Sequence, residues 1–88
     1  MATVNAFQIA GTMIWFWSND HAPAHFHAKR TGEWEVRVKF LLDQSQMIEM
    51  IWSEKAPSKK VLGELTRLAE IHRTALLRQW EELRETQG

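Results

Sequence analysis

The chain contains no cysteine, no excess of charge of either sign and no long apolar run. Without cysteine, no disulfide framework can hold the fold together. Eleven Lys and Arg balance eleven Asp and Glu, so no overall positive field drives non-specific binding to nucleic acid. The longest wholly apolar run, MIWFW at residues 13–17, is too short to cross a membrane. The composition therefore excludes a disulfide scaffold and gives no reason to expect membrane insertion.

The first residues, MATVNAFQIAG, do not combine a basic segment with a long apolar one. No signal peptide is predicted, and a cytoplasmic location is expected. The length of 88 residues predicts a single domain spanning residues 1–88. Five Trp and four Phe are a heavy aromatic load for such a chain, so some of them are expected to face a partner.

The first half of the chain has the pattern of β-strands. The run EWEVRVKF at residues 33–40 alternates strictly between charged and apolar residues, as in a strand with one buried face. Residues 12–17 and 46–52 are rich in aromatic and aliphatic side chains and end near turn-forming residues, so they predict further strands. We therefore predict a three- or four-stranded antiparallel sheet within residues 12–52.

The second half has the pattern of one amphipathic helix. Pro57 is compatible with a helix's first turn, and the periodicity predicts a single long helix over about residues 57–84. Ile71 and Leu77 lie outside its apolar stripe. Packing of this helix across one face of the sheet would give an α+β fold. The stripe consists of Val61, Leu62, Leu65, Leu68, Ala69, His72, Ala75, Leu76, Trp80 and Leu83.

The segment WFWSNDHAPAHFHA at residues 15–28 contains three of the four histidines. His25 and His27 are two residues apart, so in a strand both side chains leave the same face. A two-residue turn at Thr31-Gly32 would pair His27 with Val36 and direct both imidazoles towards the helix.

A three-residue loop would instead place both histidines with Glu35 and Arg37 on the charged face. We predict the two-residue turn, and with it a local cluster of His25, His27 and His72. In this arrangement, Asp20 or a backbone carbonyl would fix the ring of His21.

The motif N-D-H-x-P-x-H-F-H at residues 19–27, followed by A-E-x-H at 69–72 and by Trp80, resembles the small bacterial family known as domain of unknown function 4160. The chain departs from the usual family pattern at Ser18 and Ala24. Its members resemble parts of two-gene modules of the toxin–antitoxin kind, which supplies a context without a mechanism. The resemblance implies that the candidate functional residues are Asp20, His21, His25, His27 and His72.

Three functions are compatible with these residues. The first is a site for a divalent transition metal, because imidazole is a ligand for Zn, Ni, Cu and Fe. The candidate ligands are His21, His25, His27, His72 and Asp20.

The second function is a small metal-independent ribonuclease. Histidine titrates near neutral pH, so His25 and His27 would act as general base and general acid. Lys29 or Arg30 would hold the phosphate, and RNA therefore stays open as a partner.

The third function, which the sequence favours, is a protein-interaction domain whose histidine motif is structural. Trp15, Trp17 and Trp52 are its candidate partner-binding residues, together with Ile71 and Leu77, which lie off the helical stripe. The partner would be another protein or a second copy of the chain. Sequence-specific DNA binding is not expected, because no helix-turn-helix pattern or basic helix is present.

Overall fold

The computed structural model describes residues 1–85 and has an α+β fold, as predicted. Its sheet is antiparallel and has five strands in the order β1-β2-β3-β4-β5, one more than the upper prediction. The additional strand, β1, lies before the predicted sheet region and pairs with β2. The strands are β1 Ala2–Thr3, β2 Met13–Phe16, β3 Phe26–Arg30, β4 Trp34–Val38 and β5 Ile48–Ser53, with a short 3-10 helix at Gln44–Gln46 and the helices α1 Lys59–Ile71 and α2 Arg73–Glu85.

One face of the sheet packs against the helices and forms the core. The alternation of β4 is confirmed, because its apolar side chains are buried while Glu35 and Arg37 are partly exposed on the other face. Burying a side chain the size of Phe or Leu stabilises the fold by about 1.5–3 kcal/mol. The core includes Phe16, Phe26, Trp34, Val36, Val38, Phe40, Leu65, Ala69, Leu76 and Trp80.

The hairpin between β3 and β4 has a three-residue loop, so the predicted two-residue turn is wrong. Arg30 pairs with Trp34 and His27 pairs with Arg37, which leaves residues 31–33 in the loop. The change of one residue reverses the parity of β3 relative to β4. His27 therefore lies on the charged face of the sheet, opposite to the helices.

The physical reason for this register is the backbone of Thr31. Two-residue hairpins need a positive φ at the first central residue of the turn. Within residues 1–85 no residue other than glycine has a positive φ, whereas Gly32 has φ +79°. The Glu33 N–H donates to the Arg30 carbonyl at 2.9 Å, so a positive φ at the second central position matches a type II turn. A type II turn does not match the twist of the two flanking strands, so it does not support a two-residue hairpin.

The predicted single helix is divided into two at His72. His72 has φ −102° and ψ 19°, which departs from helical geometry. The break is short, because the His72 N–H still donates to the Leu68 carbonyl and the Leu76 N–H to the His72 carbonyl, both at 2.9 Å. No helix within residues 1–85 is long and apolar enough to span a membrane.

Contacts on both sides of the break account for its position. The His72 ring stacks on Phe7, with centroids 5.5 Å apart, and so packs against the N-terminal segment. Arg73, the first residue of α2, donates from Nε to the Phe40 carbonyl at 2.9 Å. These contacts attach the start of α2 to the end of the sheet, and helical periodicity carries no information about them.

The first helix begins two residues later than predicted. Ser58 is its N-cap, and the Ser58 Oγ accepts a hydrogen bond from the Val61 N–H at 3.2 Å. Ser is a strong N-cap because its hydroxyl satisfies a backbone donor that has no partner within the helix. Pro57 therefore precedes the cap.

Candidate metal centre

Asp20, His25 and His27 converge where the loop between β2 and β3 enters β3. Asp20 lies in the loop between β2 and β3, His25 ends that loop, and His27 is the second residue of β3. The loop contains a cis peptide bond between Ala22 and Pro23. Within residues 1–85, these three residues form the one group of three whose potential ligand atoms lie within 4.8 Å of one another.

Both imidazoles approach the same carboxylate oxygen. The Nε2 atom of His27 lies 2.9 Å from Asp20 Oδ2, and the Nε2 atom of His25 lies 3.1 Å from it. The two histidines are each 4 % exposed, whereas Asp20 is only partly buried. We call this group the Asp20 triad. The two imidazoles of the triad are largely shielded from water, whereas the carboxylate is partly accessible.

The tautomer of His25 is fixed by a backbone carbonyl. Its Nδ1 lies 2.7 Å from the Pro23 oxygen, and because a carbonyl can only accept, Nδ1 carries the hydrogen. In the neutral ring, Nε2 therefore presents a lone pair to Asp20. Burial is the largest influence on the pKa of His25 and lowers it, which favours this neutral form.

The arrangement leaves two sets of lone pairs facing each other. The contact of 3.1 Å between His25 and Asp20 lacks hydrogen-bond geometry, and within residues 1–85 the buried Nε2 of His25 has no hydrogen-bond partner. A buried polar atom of this kind calls for a water or an ion. A cation between the two atoms would satisfy Nε2, whereas Oδ2 already forms a hydrogen bond with His27 Nε2 at 2.9 Å.

The ring of His27 is held from two sides. Trp15 stacks on it with centroids 5.3 Å apart and planes inclined by 18°. Its Nδ1 lies 3.8 Å from Glu35 Oε2, too far for a direct hydrogen bond but with the carboxylate facing the ring. Histidine ligands commonly donate from the second ring nitrogen to a carboxylate or carbonyl. His25 does so to the Pro23 carbonyl, whereas Glu35 only faces the ring of His27.

The end of α2 closes over the loop that holds the triad. The Trp80 ring lies 5.4 Å from the His25 ring, and the guanidinium of Arg84 lies over Trp80. Arg84 Nη2 donates a hydrogen bond to the backbone carbonyl of Asp20. The helix therefore packs against one imidazole and holds the backbone of the carboxylate residue.

The predicted cluster of His25, His27 and His72 is confirmed for His25 and His27, whose ring centroids lie 5.1 Å apart, and is wrong for His72. His72 stacks on Phe7 on the helix side of the sheet, while His27 lies on the opposite face. The expected contact that fixes the ring of His21 is absent from the part of the chain that the structure describes. Asp20 instead contacts His25 and His27, and the exposed His21 lies at the edge of the neighbouring pocket.

The two predicted phosphate-holding residues lie away from the triad's pocket. Lys29 is on the same face of the sheet as His27, but its cross-strand neighbours are Met13 and Glu35. Arg30 is directed to Trp34, with its guanidinium carbon 5.9 Å from the ring centroid. Neither residue lines the pocket beside Asp20 and His25.

The predicted partner-binding residues divide into two groups. Trp17, Trp52 and Ile71 are exposed, by 40 %, 41 % and 62 %. Trp15 is buried because it stacks on His27 and makes an edge-to-face contact with Trp17, so its expected exposure is wrong. Leu77 is partly buried and packs against the core rather than facing solvent.

Sequence reasoning did not assign a role to Arg37, Lys39 and Glu49, which line the pocket. Strict alternation of residues 33–40 had placed the first two on one face with Glu35. Only the three-residue loop brings that face to His25 and His27. The sequence therefore predicted the charged face correctly, but the wrong hairpin register kept that face apart from the two histidines.

Comparison with known proteins identifies the family and nothing more specific. The family model described as "Domain of unknown function (DUF4160)" matches residues 11–81, which include the Asp20 triad and most of both helices. The chain therefore belongs to this family, as the resemblance in the sequence indicated. No curated protein and no solved structure matches it.

Proposed function

We propose that the protein binds a single divalent transition-metal ion through the Asp20 triad. The observation that carries this proposal is the approach of two Nε2 atoms to one carboxylate oxygen, at 2.9 and 3.1 Å. Ligand atoms bonded to one ion at about 2.0–2.1 Å lie about 2.9 to 3.4 Å apart when their angle is between a right angle and the tetrahedral angle. Both nitrogen–oxygen spacings fall within this interval.

The donor set defines the class of metal. Two imidazoles and one carboxylate occur as ligands of catalytic zinc and of non-haem iron(II). The chain has no cysteine, so it offers no thiolate for the softer ions. Three protein ligands leave coordination positions open, and a bound ion would supply a Lewis acid that polarises a coordinated oxygen.

A metal-independent ribonuclease fits the geometry less well. General acid–base catalysis on a phosphodiester needs each imidazole within hydrogen-bond reach of a different reacting oxygen. Here both Nε2 atoms of His25 and His27 point at the same oxygen of Asp20, and both rings are buried. Convergence on one point favours an ion over two separate proton transfers.

Elemental analysis of protein purified without an affinity tag tests the metal centre. We expect about one zinc, iron or other transition-metal ion per chain, and a melting temperature that falls when a chelator removes it. An ion present at 100 times its dissociation constant would add about 2.7 kcal/mol to the free energy of unfolding. His27→Ala and Asp20→Asn should abolish stoichiometric binding.

His21→Ala is the matched control, because His21 is exposed and adjacent in sequence but outside the triad. This variant should retain the ion. The proposal fails if wild-type protein binds no ion under reconstitution with Zn²⁺, Co²⁺ and Fe²⁺, or if His21→Ala loses the ion as completely as His27→Ala.

A protein-interaction role, as in a toxin–antitoxin-like two-gene module, is a second candidate. It is supported by β5, the last strand of the sheet, which within residues 1–85 pairs with β4 alone and carries the exposed side chains of Met50, Ile51 and Trp52. An exposed, apolar edge strand is a template for pairing with another chain. Sedimentation at several protein concentrations tests self-association, and Trp52→Ser should weaken any complex more than Ile71→Ser.

A further inference from the structure

A pocket of about 300 Å³ opens beside the Asp20 triad, and its opposite wall is basic. Asp20 and His25 contribute to one wall, while Arg37 and Lys39 contribute to the other. Arg37 also lies close enough to His25 for its charge to lower the pKa of that ring, in addition to the larger effect of burial. The remaining lining residues are His21, Ala22, Pro23 and Glu49.

The two cations share a single carboxylate oxygen. Arg37 Nη1 lies 3.1 Å and Lys39 Nζ 3.3 Å from Glu49 Oε1. The hydrogen bond from Lys39 is the main reason that the pKa of Glu49 is lowered, so this carboxylate is ionised at neutral pH. Among the residues that line the pocket, two cations and a divalent ion would oppose two carboxylates, from Asp20 and Glu49, while Glu35 lies behind His27 outside this lining. Two positive charges would stay uncompensated.

Arg37 has a donor that the ion pair with Glu49 does not use. Its Nε is buried and, within residues 1–85, has no hydrogen-bond partner. A guanidinium donates in a planar fork, a geometry that suits oxyanions such as phosphate and carboxylate. An ion pair between partly exposed side chains would contribute little to stability by itself. Because Nε is closed to solvent, a ligand in the pocket could reach Arg37 only through the other nitrogens of its guanidinium group, whose side chain is partly exposed.

We infer that this pocket binds the phosphate group of a phosphate monoester, an inference that rests on the proposed metal centre. One phosphate oxygen would occupy an open position of the metal, and the others would accept hydrogen bonds from Arg37 and Lys39. A phosphate dianion matches the two uncompensated charges, and its three terminal oxygens allow all three contacts at once. A carboxylate has one charge and two oxygens. The volume of the pocket leaves room for the group that the phosphate esterifies.

Cobalt-substituted protein tests the inference with inorganic phosphate as the probe. Phosphate that enters the coordination sphere should change the visible absorption spectrum of Co²⁺ saturably, and acetate at equal concentration should change it less. Arg37→Gln and Lys39→Gln should each weaken phosphate binding about tenfold or more, since each removes a charge-assisted hydrogen bond. Lys29→Gln is the matched control, because it removes the same charge from the same face outside the pocket.

The outcomes separate this inference from the proposed metal centre. If Co²⁺ binds stoichiometrically but phosphate leaves its spectrum unchanged, the phosphate inference is overturned and the metal centre stands. If Lys39→Gln binds phosphate as tightly as the control Lys29→Gln does, the basic wall is not involved and the inference is again overturned. If no Co²⁺ binds, both proposals fall. Lys39 is partly exposed, so its variant stays informative should Arg37→Gln not fold.

Discussion

His25 Nδ1 donates a hydrogen bond to the Pro23 carbonyl at 2.7 Å, and Pro23 thereby determines which nitrogen of the ring faces Asp20. The acceptor is a backbone atom two residues away, so the ring is oriented by the loop itself. An imidazole oriented in this way before an ion arrives loses little freedom on binding. The loop between β2 and β3 is therefore the part of the fold that preorganises the candidate centre.

The metal-free protein is expected to lose stability as the pH falls below neutral. Burial lowers the pKa of His25 in the folded state, where Asp20, His27 and Arg37 are its charged or titratable neighbours. The unfolded chain takes up a proton near the ordinary histidine pKa of about 6.5, whereas the folded chain resists until a lower pH. The contribution to stability is full above the unfolded pKa and is lost as the pH falls through the folded pKa.

Urea unfolding in the presence of a chelator, at several pH values from about 7.5 to about 5, measures this dependence. His25→Gln removes the titrating group, so its free energy of unfolding should vary less with pH than that of the wild type. Equal pH slopes for the two proteins would contradict the assignment.

Glu35→Gln should weaken metal binding without abolishing it. The Glu35 carboxylate faces Nδ1 of His27 at 3.8 Å and would support the ring's orientation when Nε2 binds an ion. Loss of a carboxylate behind a ligand histidine lowers metal affinity by about 10- to 100-fold, and the long distance here favours the lower end. Competition with a chromophoric chelator measures the change, and Glu54→Gln, an exposed substitution, serves as the control. An unchanged affinity in Glu35→Gln would show that the carboxylate has no such role.

The alternation of residues 33–40 was enough to predict β4 and its buried face, because period-two burial is a local property of a strand. The position of the histidines depended on one non-local choice, the length of the loop at Gly32. A difference of one residue in the length of this loop decides whether His27 lies under the helices or beside Arg37. The break at His72 was equally hidden, since it depends on Phe7, distant in sequence. Local periodicity therefore predicts the elements, while the candidate site depends on how they are joined.

Two glycine substitutions test the hairpin that sets the register. Gly32 has φ +79° with open space around its Cα, so Gly32→Ala would introduce backbone strain and no steric clash. We expect a destabilisation of about 1–2 kcal/mol, the cost of a left-handed conformation for a residue with a Cβ. Gly63→Ala, within α1 and also in open space, should instead stabilise the protein by about 0.5–1 kcal/mol. Urea denaturation compares the two, and a neutral Gly32→Ala would argue for a different turn.

Arg84 is expected to support the metal centre from a distance, because its side chain donates to the Asp20 carbonyl and lies over Trp80, which contacts His25. Arg84→Ala should lower the free energy of unfolding by about 0.5–1.5 kcal/mol through the lost hydrogen bond. It should also weaken Co²⁺ binding, since the loop would have to become ordered when the ion binds. Arg78→Ala, an exposed substitution in the same helix, should change neither quantity. If the two variants bind Co²⁺ equally well, α2 only covers the core and does not hold the loop in place for the ion.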